Sequence, residues 1–423
     1  AAKYGGGIFL LVYIILALTF GYTMIVAESA LGRMTRKSPV GAFRSFAKGK
    51  KVGWLSFGGW INAIIPVLIV PYYSVIGGWV VKYLFEYIRG NGSKLAEDGY
   101  FSGFISNGGA TEICFVIFCM FTLVIIYAGV QNGIERVSKI MMPILIVLSV
   151  IIAIYSVTRP GAIEGVKYFL VPNVKNFSWM TVVAAMGQMF YSLSIAMGIL
   201  VTFGSYMRKD TSIEDSTRNV EIFDTAIAMM AGLMIIPAVF AFSGGDPDTL
   251  QAGPSLMFIT IPKVFANMGF GTAVGILFFV LVLFAAVTSS IALTESAVST
   301  FEDELGWGRK KATVLTGVIM IALGTLSCLG YGPLDFVKII GMQFLDFFDF
   351  LTNSVMMPIA ALMTSLLVSR VIGVDKIEEE IRHGESAFRR KKIFVVMIKY
   401  LCPIFALIIL ASSVANAFGW IVM

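Results

Sequence analysis

Apolar runs of about twenty residues, the length at which an α-helix crosses a bilayer, follow one another along the whole chain. Ten spans are predicted, near residues 8–31, 54–87, 112–130, 137–157, 179–206, 222–243, 268–301, 310–330, 336–371 and 394–421. Several are longer than a bilayer is thick, so tilts, kinks or extensions into water are expected. The 179–206 span is patterned differently from the rest. Its centre reads Gly187-Gln188-Met189-Phe190-Tyr191-Ser192-Leu193-Ser194-Ile195-Ala196-Met197-Gly198. A lipid-facing helix gains nothing from a Gln, two Ser and a Gly at mid-depth. An interrupted helix is tolerated in a membrane only where its freed backbone groups face protein, ligand or water. A tight helix–helix contact through small residues is the plain alternative. The reading preferred here is a midplane break that holds a solute and its coupling ions.

Composition supports the membrane assignment: 57% of residues are hydrophobic and only 14% charged. A net charge of +6 raises nucleic acid as a partner, but the distribution of charge removes it. Seven Lys/Arg lie in 33–51, seven in 370–392 and eight in 136–139, 208–218 and 309–311, against eight in the loops of the other side. That asymmetry puts the basic loops in the cytoplasm and both chain ends outside. The tract Arg389-Arg390-Lys391-Lys392 would also suit anionic lipid, but topology alone explains it. Cys114, Cys119, Cys328 and Cys402 fall in or near apolar spans without metal-type spacing, and read as buried free thiols. The single His383 lies in a charged loop, which argues against a histidine-based site. No grouping of nucleophile, base and metal ligand suggests a membrane enzyme. The chain has no cleavable signal peptide and no initiator Met, and opens with Gly5-Gly6-Gly7, a bend between membrane segments. A segment upstream is expected. No short repeat is visible, and the whole of 1–423 is taken as one polytopic domain. Of two long outer loops, 88–111 and 244–267, the second continues into Leu256-Met257-Phe258-Ile259-Thr260-Ile261-Pro262. That stretch is too apolar for a solvated loop, and predicts a re-entrant or lid segment.

Ionisable groups inside such spans are costly and functional by default. Asp224 opens the sixth predicted span, as a helix N-cap or as a carboxylate ligand reaching the broken helix. Ala285-Ala286-Val287-Thr288-Ser289-Ser290 puts hydroxyls at mid-depth, either bonding back to their own helix or offering hard oxygens to a cation. Glu295, two turns on, is expected to be a buried structural acid with no further role. Tyr72 and Tyr73 lie deeper than an interfacial belt. Asp346, Asp349 and Asn353 share a face that must border water or a cation, and Glu28 either snorkels or is hydrogen-bonded in the interior.

These residues together resemble the neurotransmitter:sodium symporter family, in its bacterial amino-acid branch. The carriers are Gly5-Gly6-Gly7-Ile8-Phe9-Leu10 with Tyr13, Glu28-Ser29-Ala30-Leu31-Gly32-Arg33, Gly133-Ile134-Glu135-Arg136 ahead of Pro143, and Gly187–Gly198. Ser205-Tyr206-Met207-Arg208-Lys209-Asp210, Thr288-Ser289-Ser290-Ile291-Ala292 and Phe301-Glu302-Asp303-Glu304 complete the series, in family order over the whole chain. The resemblance implies an all-α, LeuT-like fold of two inverted five-helix repeats, with ten transmembrane helices present and the first helix of the fold absent. That helix carries much of two sodium sites and both gating arginines. A polypeptide beginning at Ala1 is therefore expected to fold poorly and not to transport.

Carried over by resemblance, Tyr73 would bind a substrate carboxylate, and Ile69, Tyr191, Ser194, Met197, Ser289 and Leu293 would line the side-chain pocket. Ala285, Thr288 and Ser289 would form part of one sodium site, and Ser192 with Asp224 part of the other, two Na+ in all. A carboxylate at Asp224 would replace chloride, so no chloride requirement is expected. Asp349 would be the outer gate acid, Asp303 the inner one, with Ser205 and Tyr206 at the inner gate. Met197, at a position often aromatic in relatives, hints at a roomy pocket for large apolar or aromatic amino acids. The implied function is sodium-coupled symport of an amino acid across a prokaryotic plasma membrane, with amines left open. The alternatives are a relative that binds substrate but has lost transport, or a sodium symporter of another family that shares the fold.

Overall fold

The computed structural model describes residues 4–47, 53–244 and 253–420. In chain order the main helices are α1 (Gly7–Thr35), α2 (Pro39–Ala47), α3 (Gly53–Ile88), α4 (Gly108–Tyr127), α5 (Val130–Val157), α6 (Ala162–Leu170), α7 (Trp179–Ser192) and α8 (Ile199–Tyr206). Next come α9 (Ile213–Ser243), α10 (Leu256–Ala266), α11 (Gly271–Leu305), α12 (Arg309–Leu329), α13 (Phe344–Ile372), α14 (Val374–Arg382) and α15 (Lys391–Ala417). Nine of these, among the described residues, are long and apolar enough to cross a membrane. The predicted 179–206 span is not one of the nine, because it is split into α7 and α8.

Helix boundaries follow local chemistry. Ser212 caps α9, its hydroxyl accepting from the Asp215 N–H at 2.9 Å, and Glu214 and Asp215 complement the positive end of the helix. The helix predicted from 222 therefore begins at Ile213. Asp224 lies eleven residues inside it, about 16 Å along the axis, which rules out the N-cap reading. The span predicted from 336 begins helically only at Phe344.

Glycines set the closest approaches. A Cβ on Gly32 would sit 2.0 Å from the Val201 carbonyl oxygen, and one on Gly204 2.6 Å from that of Ser29, so α1 and α8 pack backbone to backbone. Gly21 closes a π-helical turn, Ala17–Gly21, where a Cβ would meet Leu193 at 2.5 Å. At the other end of the molecule Trp79, Tyr83, Phe101 and Phe279 enclose Phe258 of α10, and the Tyr83 hydroxyl donates to its carbonyl at 2.8 Å. The apolar part of the expected lid is thus a helix anchored by one buried ring; residues 245–252 of that loop lie outside the described residues.

The tract at 389–392 has a structural job. Arg389 pairs with Asp215, Arg390 with Glu221 and Lys391 with Glu378, while the Arg389 and Arg390 N–H groups donate to Glu214. Glu214 also accepts from the Tyr22 hydroxyl. Lys391, with Arg382 beside it, holds the Glu378 carboxyl below its ordinary range. Three of the four cations thus pair with protein carboxylates, a role that loop topology alone did not assign them.

Candidate functional site

Between α7 and α8 the chain leaves the helix at residues 193–198. Gly198 has φ +71°, and Ser194 and Ala196 also take left-handed values, +55° and +59°. Such backbone costs about 1–3 kcal/mol per non-glycine residue and persists only where its surroundings hold it. One support is Glu28, wholly buried on α1, whose Oε1 accepts the Ala196 N–H at 2.9 Å. Glu28 thus takes up a backbone donor that the break set free.

Asp224 meets the same break from α9. The Ser192 hydroxyl, at the end of α7, donates to Asp224 Oδ1 at 2.6 Å, and the Tyr13 hydroxyl donates to Oδ2 at 2.6 Å. The carboxylate and the Ser192 hydroxyl are hard oxygens at the carbonyl end of α7, a donor set that suits sodium rather than a soft metal. Across the site the Thr288 hydroxyl donates to the carbonyls of Phe284 and Ala285, both at 3.0 Å. The bond back to the helix is therefore made, and it gathers the Thr288 and Ala285 oxygens while leaving the hydroxyl's lone pairs free.

A cavity of about 240 Å³ adjoins the break, lined by Tyr73, Tyr191, Ser192, Ser194, Met197 and Ser289, with Ile199, Ala292 and Leu293 completing it. Every side-chain-pocket residue expected from the sequence lies there except Ile69. Ile69 is fully buried in the core on α3, and is not among the described residues lining the cavity. The neighbouring Tyr72 turns the other way, its hydroxyl 3.2 Å from both Asp349 Oδ1 and Thr352 Oγ1. Asn353 also donates to Asp349, at 2.6 Å, and Tyr331 donates to Asp346 at 2.9 Å.

On the basic side Asp303 accepts the Ser38 N–H at 2.5 Å and shares a cavity of about 540 Å³ with Lys37 and Arg44. The Ser205 carbonyl accepts from Arg36 at 3.0 Å. Tyr206, at the end of α8, donates to Glu295 at 2.7 Å, and Arg309 clamps Glu295 with contacts of 3.0 and 2.5 Å. Glu295 is thus buried and hydrogen-bonded, the structural acid expected from the sequence, and it joins α8, α11 and α12. The Arg309 beside it was the available signal, since a buried carboxylate needs a cation. Tyr13 and Glu28 were likewise not assigned to the site from sequence; their partners lie 211 and 168 residues away. Among the described residues no group of three or more Cys, His, Asp or Glu could hold a metal ion.

Comparison with known proteins gives this arrangement its context. The sodium:neurotransmitter symporter family model matches residues 1–93 and 100–419. An uncharacterized sodium-dependent transporter, YhdH, of Bacillus subtilis (strain 168) is 33% identical over 420 residues, which cover 98% of this chain and 91% of that protein. An uncharacterized sodium-dependent transporter of Haemophilus influenzae is 31% identical over 421 residues, covering 97% and 91%. The crystal structure of MhsT in complex with L-phenylalanine has the same fold, with TM-score 0.86, 35% identity, and coverage of 97% of this chain and 92% of that one. The chain belongs to the sodium:neurotransmitter symporter family, and is a multi-pass, LeuT-like transporter of the sodium-dependent kind and not an enzyme.

Proposed function

We propose that the protein carries an amino acid into a prokaryotic cell across the plasma membrane, driven by sodium. The observation that carries the reading is the break at 193–198, which opens onto a cavity of about 240 Å³ between Tyr73 and Ser289. Tyr73 is the group for the substrate carboxylate. Met197, Leu293 and Tyr191 favour a large apolar or aromatic side chain, in keeping with the phenylalanine bound by MhsT. Sodium enters as a co-substrate at two places. Ser192 and Asp224 supply one, and Ala285, Thr288 and Ser289 the other. Because Asp224 brings its own negative charge, chloride is not needed. Ion binding ties the unwound segment to α9 and α11, and substrate then closes the outer side over Tyr191, with Asp349 at the outer gate. Rocking of the broken-helix unit releases both solutes past Ser205, Tyr206 and Asp303. The basic loops face the cytoplasm and both chain ends the outside.

The test is uptake of labelled phenylalanine, tryptophan and leucine into proteoliposomes with an inward sodium gradient. Accumulation that collapses when sodium is equal on both sides is expected. Binding without sodium-driven accumulation would instead identify a relative that has lost transport.

A further inference from the structure

Between α4 and α12 a groove of about 350 Å³ opens on the outer surface of the helix bundle, away from the solute site. Its walls are two parallel stripes: Met120, Leu123 and Tyr127 on α4, spaced i, i+3 and i+7, and Val314, Gly317 and Ile321 on α12, spaced in the same way. Gly317 lies under Leu123, where a Cβ would come within 3.0 Å of that side chain. Val314 and Val318 are each 60% exposed at the rim.

Three features at one end of the groove say what fills it. Lys310, one turn before Val314 on the same stripe, holds its Nζ 5.6 Å from the centre of the Tyr127 ring. Lys310 and Lys311 are exposed, and among the described residues neither ammonium pairs with a carboxylate. Thr313 lines the groove while only 3% exposed, and its hydroxyl has no hydrogen-bond partner among the described residues. A buried hydroxyl without a partner is costly, so an acceptor is wanted there. Trp307, half-exposed just before the lysines, marks the polar boundary of the bilayer. From Lys310 to Ile321 the helix rises about 16 Å, close to the roughly 15 Å of hydrocarbon in one leaflet.

We propose that this groove binds one acyl chain of an anionic glycerophospholipid of the cytoplasmic leaflet, with its phosphate on Lys310 and Lys311 and an ester carbonyl accepting from Thr313. Apolar length, a basic head and a waiting donor lie in the order that molecule requires. A zwitterionic lipid would fill the apolar part but would set its own cation against the two lysines.

Native mass spectrometry on the detergent-purified full chain tests the site, with phosphatidylglycerol and phosphatidylcholine of identical chains as probes. The wild type is expected to retain one phosphatidylglycerol in clear preference to phosphatidylcholine. Lys310→Gln with Lys311→Gln should cost roughly 30-fold in phosphatidylglycerol affinity and erase the preference. Val318→Trp, at an exposed position that leaves the core intact, should weaken both lipids by blocking the groove. Equal retention of the two lipids by the wild type, or a preference that survives in the double Gln variant, overturns the proposal. So does a wild-type dimer that Val318→Trp converts to monomer, since a second copy would then occupy the groove.

Discussion

Asp224→Asn separates the charge at the break from its shape. The amide has nearly the volume of the carboxylate and keeps one acceptor oxygen. Tyr13 and Ser192 each donate to a different carboxylate oxygen at 2.6 Å, so one of the two hydroxyls must turn and accept from the new NH2. A hydroxyl can do so without moving its oxygen. Two charge-assisted hydrogen bonds become ordinary ones, at about 1 kcal/mol each, so a loss of about 2 kcal/mol in stability is expected. The effect on sodium has a different origin. Unit charges about 4 Å apart attract by about 4 kcal/mol at an effective dielectric constant of about 20. Asp224 is partly exposed, and halving that figure for screening leaves about 2 kcal/mol, or roughly a 30-fold rise in half-saturating sodium. Proteoliposome uptake measured across a sodium titration, once with chloride and once with gluconate, reads both effects. The wild type should ignore chloride, and the Asn variant should be stimulated by it, since an anion can then restore the missing charge. A half-saturating sodium within threefold of wild type, in protein that still melts cooperatively, would refute the assignment of Asp224 to a cation.

Thr288→Ala removes an oxygen whose bond to its own helix is easily spared, so sodium dependence should weaken by about tenfold while the melting temperature stays within a few degrees; an unchanged sodium titration counts against that site. Tyr73→Phe keeps the ring and deletes the phenol, and should raise the half-saturating substrate concentration by about tenfold with sodium affinity little changed, as equilibrium binding of labelled substrate will show. Glu28→Leu strands the Ala196 N–H and should cost about 1–3 kcal/mol in thermal unfolding, whereas Glu28→Gln keeps the acceptor and should cost less than half of that. Gly32→Ala drives a methyl group against the Val201 carbonyl at 2.0 Å, and size-exclusion chromatography should show loss of monodisperse protein.

What was legible in the sequence is what depends on neighbours along one helix. The spans followed from apolar length, and the break from the small and polar residues between Gly187 and Gly198. What was hidden depends on residues far apart in the chain. Nothing around 224 says how deep that residue lies; the depth follows from where α9 starts, and Ser212 with Glu214 and Asp215 sets that start in a stretch too polar to count as part of an apolar span. Glu295 was legible as a buried structural acid but its partner was not, because Arg309 belongs to a loop counted only for topology. The ion pairs of the tract at 389–392 were hidden for the same reason: its carboxylates, Asp215, Glu221 and Glu378, come from elements that charge counting treats as separate. Local pattern reports which groups are unusual, and only the fold reports which of them neutralise one another.

The bonds around the break also indicate which helices travel together if the site alternates between two openings. The unwound segment is tied to α1 by the Glu28 carboxyl, the end of α7 is tied to α9 through Ser192 and the Asp224 carboxylate, and α8 lies against α1 with glycines on both sides of the contact. Arg33, wholly buried at the end of α1, donates to Glu380 at 2.7 Å and to the Thr211 carbonyl at 2.5 Å, so the loop before α9 and helix α14 are fastened to the same group. Toward α11 the polar links are of a different kind. The Thr202 and Ser296 hydroxyls stand 3.3 Å apart, and the Tyr206 phenol meets Glu295, whose charge Arg309 already balances. Breaking a neutral hydroxyl contact such as Thr202–Ser296 costs about 1 kcal/mol, while parting a carboxylate from its donors costs about 1.5–3 kcal/mol per bond. The contacts named across the α8–α11 seam are thus one neutral pair and one bond to Glu295, a carboxylate that keeps Arg309 when Tyr206 leaves, so this seam is the easier one to open. Ala285, Thr288 and Ser289 lie on α11, so an ion at the sodium site proposed there would add attraction beside this seam.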